Sequence, residues 1–536
     1  MLGRALVTLS ILGGAWAQSE FEPADFNVTE ALLQKGIDVS SIPALAGLVE
    51  RSSPSACSIA CSSLQTIFGD HKVITQQSAS YGAFTNSYWS VQQASVDPYC
   101  IFKPTSVTDV SAFVLISRLT QCQFAVKSGG HAAFSGASNI QGGITVALEK
   151  MKDITLSSDK KVASIGPGNL WYDVYTRLEK ENLTVIGGRV AAIGVGGLTL
   201  GGGISFFSNR YGWACDNVAS FEVVTASGII LTASPTKYSD LYWALRGGGN
   251  NFGIVTKFNL ETISQGQMWG GSRAHLETEF PAVIDAFVNL GMNAETDVDA
   301  AQILSFASAQ GMKIAAADIQ YAKPVDNAPI FSEYLAIPNP IVDNTRVRSL
   351  SDLTVQFNAS NPNGLREMYW TATYKLDKEM VTFIKDVFYE ELASIADAAS
   401  LVPAATLQVI TKPQLANMAK HGGNPLGLSP EDGNLLLLDL NTMWSNPADD
   451  ERILSYNKRV YSRTVEEAKR RQLGENYLYM NYASQYQAVV PSYGEANQQM
   501  LQKIAAKYDP TRVFERLQPG YFKLDGAPAG TGSGGA

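Results

Sequence analysis

The chain of 536 residues has little histidine, with four, and little cysteine, with five. No second His or Cys pair stands near Cys57-x-x-x-Cys61, which excludes a zinc set of ordinary spacing, and no metal is expected. Basic excess is missing too: 41 Lys and Arg face 50 Asp and Glu, a net charge of −9, and no basic run could neutralise phosphates. Nucleic acid is therefore excluded as a partner. Beyond the first seventeen residues no apolar run is long enough to span a bilayer, which argues against a membrane partner.

What is present points to an exported globular protein. Arg4 precedes the apolar run Ala5 to Gly14, and Ala15-Trp16-Ala17 fits the small-x-small cleavage rule, so residues 1–17 read as a signal peptide and the product as secreted. Asn27-Val-Thr, Asn182-Leu-Thr and Asn358-Ala-Ser are sequons for a glycoprotein. In an oxidising compartment Cys57, Cys61, Cys100 and Cys122 are expected to pair, in an order left open, with Cys215 free. Residues 526–536, rich in Gly, Ala and Pro, read as a flexible tail. The apolar content of 45% and charged content of 17% are those of a globular enzyme with two or three domain-sized units.

Periodicity outlines the elements. Thr105 or Ser106 caps a helix carrying Val107, Val110 and Val114; Phe124 and Val126 then alternate as a strand. Ile144, Val146 and Leu148 make the next strand, and Asn169 is expected to cap a helix with Leu170, Val174 and Leu178 on one face. A hairpin runs from Phe221 to Leu231, a short helix from Asp240 to Arg246, and later segments mix strands such as 435–443 with helices such as 378–398. The layout is α+β.

Glycine marks the turns where a ligand could lie. Ser128-Gly129-Gly130-His131 closes the strand before it, and two residues without Cβ let backbone approach a flat ligand with the imidazole at its edge. Residues 187–203 hold eight glycines in seventeen positions, whose successive N–H groups could cradle a pyrophosphate. Thr199 stands where a dinucleotide fingerprint needs a third Gly or Ala, which disfavours a Rossmann NAD site. A further glycine loop, Gly247 to Gly253, enters the apolar Ile254-Val255.

Taken with Leu245-Arg-Gly-Gly-Gly-Asn-Asn-Phe-Gly-Ile-Val, Tyr479-Met-Asn481-Tyr482 and Lys507-Tyr-Asp-Pro-x-x-Val-Phe514, these motifs resemble the berberine bridge enzyme-like flavoproteins of the vanillyl alcohol oxidase superfamily, in order across residues 60 to 523. The resemblance implies a two-part FAD-binding domain of the PCMH type, 18–265 with a core of about 94–265, completed by a C-terminal berberine-bridge-like segment 471–525. Between them a substrate-binding domain, 266–470, would hold an antiparallel sheet, flanked by helices, above the flavin. FAD would be linked through His131 and contacted by Ser128, Gly129, Gly130, Ser135, Gly136, Gly194, Val195, Gly196, Gly197, Ile254 and Val255. Catalysis would fall to Tyr479, Asn481 and Tyr482, with flavin N5 as hydride acceptor and Asp439, Asn441 or Gln408 on the sheet above; His421 reads as a loop residue.

Departures from the family pattern sharpen the expectation. Val190 stands where many members carry a second, cysteinyl flavin link, so the link is single. Ala132-Ala133 replaces the Ser-Tyr of sugar and alkaloid oxidases, making the pocket more apolar, and Ile193 occupies the position that gates oxygen. The expected activity is oxidation of a small, rather apolar molecule, such as a secondary-metabolite alcohol, with O2 as acceptor and H2O2 as product. A carbohydrate oxidase and a flavoprotein that templates a cyclisation are the alternatives.

Overall fold

A computed structural model describes residues 21–46 and 57–527. The signal peptide and all but the start of the tail lie outside them. No helix among the described residues is long and apolar enough to cross a membrane.

Three sheets position the site. In the first, strands Val73–Thr75, Cys100–Phe102, Ile144–Ala147 and Phe124–Lys127 lie side by side in that order. The last three are parallel, with Phe124 opposite Ile144. The strand Phe124–Lys127 follows the helix Val107–Thr120, which Ser106 caps through its side chain. Ligands of parallel sheets collect at the carboxyl ends of the strands, and this strand delivers Ser128 to His131 there. Two disulfides, Cys57–Cys122 and Cys61–Cys100, tie the layer outside this sheet, and Cys215 is free and buried.

The second sheet is antiparallel and centres on Ile254–Ser264, whose first two residues face the cavity described below. The helix beside it begins at Trp171, with Leu170 in the cap position and the Asp173 carboxylate accepting the Leu170 N–H. Asn169 donates to the Gly166 carbonyl instead, which corrects the expected cap. The run of glycines also holds a short helix, Val195–Leu200, where only a loop was expected.

The chain crosses to the third sheet between Ser264 and Met268. Its nine strands are all antiparallel, and Val402–Ile410 and Leu435–Trp444 lie at its centre. Side chains alternate between faces with period two. One face packs on the helices Phe280–Met292, Lys378–Leu392 and Asp450–Arg471 to form a core of its own. The other faces the cavity. After Asp450–Arg471 the chain pairs briefly with this sheet at Gly474–Glu475, then returns to the N-terminal half, where Leu517 accepts the Phe124 N–H and Asn251 donates to the Phe522 carbonyl.

Candidate active site

A cavity of about 810 Å³ lies between the glycine turns and the third sheet. Its floor is backbone. Gly129 and Gly194 touch: a Cβ on Gly129 would lie 2.4 Å from the Gly194 nitrogen, and one on Gly194 would lie 2.3 Å from the Gly129 nitrogen. The Ser128 hydroxyl donates to the Pro167 carbonyl (2.7 Å) and accepts from Gly196 N–H (3.1 Å), so its oxygen ties turns together. Because backbone cannot yield as a side-chain tip can, Gly129→Ala should lower both thermal stability, by about 1–3 kcal/mol, and flavin content per chain. Purified variant carrying full flavin with an unchanged melting temperature would contradict this reading.

His131 lines the cavity, its ring stacked on Trp89 at 4.1 Å with a 14° tilt. Nε2 is buried without a partner, and burial presses the imidazole pKa down to about 4. The ring is therefore neutral at ordinary pH. Ala132, Ala133, Val190, Ile193, Gly194, Gly196, Gly197, Ile254 and Val255 also line the cavity. Three expected cofactor contacts do not: Ser135 is exposed, Gly136 stands beside Tyr521, and Val195 is buried in the core behind the floor. Each lies next to lining residues, but local backbone direction turns it away.

The roof is the free face of the third sheet. Ser272 opposes Asp318, Ser305 opposes Thr406, and Asp439 opposes both Thr406 and Thr371, so one face gathers Asp318, Gln408, Asp439 and Asn441 above small residues such as Ala307, Ala316 and Ala404. Burial raises the Asp318 carboxyl to about 7 and holds Asp439 well above the carboxylate range. Asp439 Oδ1 and Asn441 Oδ1 are buried without partners.

The three residues expected to carry catalysis separate. Tyr479 is buried, and its phenol oxygen accepts from Gly203 N–H, Ile204 N–H and Asn481 Nδ2. Asn481 also donates to the Leu198 carbonyl (3.0 Å). The two lock the glycine run to the C-terminal segment, and burial moves the Tyr479 phenol away from ionisation. Both line the cavity beside Tyr482, with their polar groups engaged in these bonds. Tyr482 alone presents a poised hydroxyl. Arg189 Nη2 donates to it at 2.8 Å and to Gln408 Oε1 at 2.7 Å, and Gln408 Nε2 donates to the same phenol oxygen at 2.9 Å.

Arg189 was missed by the sequence reading, although one signal marked it: it is the single charged residue among the seventeen of the glycine run. His421 lies in a turn away from the cavity, 3.0 Å from Glu261.

Beside the cavity, Glu367 is 2% exposed, with both carboxyl oxygens unpartnered, and burial pushes its pKa up to about 9. Folded Glu367 keeps a proton that the unfolded chain releases above the ordinary carboxylate range. Its contribution to stability is thus full in acid and lost as pH rises toward 9. Glu367→Gln should raise the melting temperature by several degrees at pH 8 and leave it nearly unchanged at pH 4. Equal shifts at the two pH values would refute the assignment.

Residues 98–234 match the family model described as an FAD binding domain. The FAD-dependent monooxygenase tpcD of Cochliobolus heterostrophus is 38% identical over 452 residues, covering 82% of this chain and 87% of its own length. Its counterpart sdcF of Emericella nidulans is 34% identical over 482 residues, covering 88% and 99%. The chain belongs to the berberine bridge enzyme-like FAD-linked oxidoreductases. Solved structures agree on the fold: the xylooligosaccharide oxidase of Myceliophthora thermophila superposes with a TM-score of 0.70 at 21% identity, covering 88% of this chain and 100% of that one. The 6-hydroxy-D-nicotine oxidase of Arthrobacter nicotinovorans gives 0.69 at 20%, covering 85% and 97%.

An FAD group fits the residues of this FAD-dependent enzyme. The glycine floor leaves open space where a Cβ on Gly197 would stand, which suits a flat or phosphate-bearing ligand held by backbone. His131 Nε2, Asp439 Oδ1 and Asn441 Oδ1 are buried polar atoms of the kind that a ligand satisfies.

Proposed function

We propose that this flavoenzyme is secreted and oxidises a small, largely apolar molecule, such as a secondary-metabolite alcohol, with O2 as acceptor and H2O2 as product. Bound FAD supplies a two-electron acceptor. The observation that carries the reading is Tyr482, whose oxygen is held by a guanidinium and an amide at the wall of a cavity roofed by small side chains. Two charge-stabilising donors on one phenol oxygen make it the group that takes the substrate's hydroxyl proton. Neutral Asp439 on the roof keeps a carboxylic donor over the same space. The roof excludes water from the reacting atoms.

His131 is the residue we assign to the single covalent flavin link, supported by its neutral ring, its unpartnered Nε2 and Val190 in place of the second link. The apolar cavity favours a lipophilic substrate over a sugar. Use of O2 is carried over from the monooxygenase names of the relatives; its two-electron reduction to H2O2, rather than insertion of an oxygen atom, is our own assignment, with Ile193 lining the cavity as the gate. Secretion is supported by the N-terminal signal pattern and by the two disulfides, which persist in oxidising compartments.

The test is a substrate panel with holoenzyme. Lipophilic phenolic and allylic alcohols should bleach the flavin absorbance anaerobically, and air should restore it with peroxide formation. Robust turnover of oligosaccharides, or bleaching that air does not reverse, would overturn this reading.

A further inference from the structure

Arg189, half-buried at the cavity wall, differs from the other buried and half-buried arginines of the described chain in what it faces. Arg118 pairs with Glu22 at 2.8 Å, Arg246 with Asp216 at 3.2 Å, Arg348 with Asp352 at 3.7 Å, and Arg273 with Asp343. These ion pairs are what desolvated guanidinium groups require. Arg189 lines the cavity and enters no ion pair among the described residues. Its Nη2 is committed to Gln408 and Tyr482, which fixes the plane of the guanidinium. Its other donors remain for whatever occupies the cavity.

The neighbours do not supply the missing negative charge. Asp318 and Asp439 are the carboxyl groups of the lining, and neither hydrogen-bonds to Arg189. Burial raises both carboxyl groups against the pull of Arg189, Asp439 well above the carboxylate range and Asp318 to about 7, so Asp318 gains its charge only near and above neutrality. His131 is neutral for the same reason. The other phenols around this space, Tyr369, Tyr479 and Tyr521, are also held from ionising by burial. A preoriented cation therefore faces a chamber whose lining offers it no hydrogen-bonded carboxylate, an arrangement that selects an electron-rich oxygen.

We propose that Arg189, oriented by Gln408 and Tyr482, is the substrate-binding cation of the cavity and that the substrate presents to it an acidic oxygen, a phenolate, enolate or carboxylate, on an apolar body. The proposal rests on the cavity being the oxidation site and names the class of molecule that enters it.

Binding tests this without turnover. By calorimetry on the flavin-loaded protein at pH 6, below the Asp318 value, 2,4-dinitrophenolate or 4-nitrobenzoate should bind about tenfold or more tightly than neutral 4-nitroanisole, the worth of one charge-assisted hydrogen bond. Preference for the phenolate assigns a phenol or enol, and preference for the benzoate assigns a carboxylate. Arg189→Met should abolish the preference, and Arg189→Lys should keep part of it, which guards against a loss caused by misfolding. Equal binding of anions and the neutral probe in the wild type would overturn the proposal. So would an unchanged preference in Arg189→Met, or normal probe binding with an altered flavin spectrum, which would assign Arg189 to the cofactor. Loss of flavin reduction by every substrate with anion preference intact would instead count against the oxidative reading alone.

Discussion

Acid-precipitated wild-type protein should stay yellow, and acid-precipitated His131→Ala should be colourless. A tight but non-covalent flavin leaves any denatured chain, so the experiment separates a bond from a good fit. The structure prepares His131 for bonding in three ways. Gly130, at φ +72°, turns the chain so that the imidazole enters the cavity, and Trp89 holds the ring plane by stacking. Burial keeps the ring neutral down to about pH 4, so a nitrogen lone pair is available across the working range. Val190 offers no sulfur for a second bond, hence loss of the histidine removes the whole link. Colour lost from the wild-type pellet on washing would end the assignment. Colour kept in the variant would move the link to another residue.

Tyr482→Phe should lower kcat by about 10² to 10⁴, the usual worth of a positioned proton acceptor, with flavin content and melting temperature almost unchanged. The phenol oxygen is the shared acceptor of Arg189 and Gln408, and its removal leaves those two still bonded to each other at 2.7 Å, which limits the structural damage. Tyr479→Phe supplies the contrast. Its oxygen accepts from three N–H donors, the main-chain N–H groups of Gly203 and Ile204 at the end of the glycine run and the Asn481 amide, so the variant should melt at lower temperature and lose flavin before it loses catalytic competence. Full kcat in Tyr482→Phe would remove Tyr482 from proton transfer.

The difference between the two tyrosines explains where the sequence stopped. They are three residues apart, of one type and in one motif, and sequence reading assigned both to catalysis. What distinguishes them is the identity of distant groups: Gly203 and Ile204, some 275 positions earlier, for Tyr479, and Arg189, 293 positions earlier, for Tyr482. Spacing within a motif carries no record of such partners. Gln408 was identified as a candidate on its strand, but its bridge between Arg189 and Tyr482 exists only once three segments meet.

By itself the sequence determined the features that short-range physics writes into it: alternating strands, a helix cap at Thr105 or Ser106, the glycine turns that admit a flat cofactor, the histidine at their edge and the spare Cys215. Tertiary structure alone decided the pairing of Cys57 with Cys122 and Cys61 with Cys100, the retreat of Ser135, Gly136 and Val195 from the cavity, and the pairing that leaves Arg189 without a carboxylate. The physical reason is range. Periodicity and turn chemistry act over a few residues, whereas burial, and the charge state it imposes on Asp318, Asp439 and Glu367, belongs to surfaces assembled from segments hundreds of residues apart.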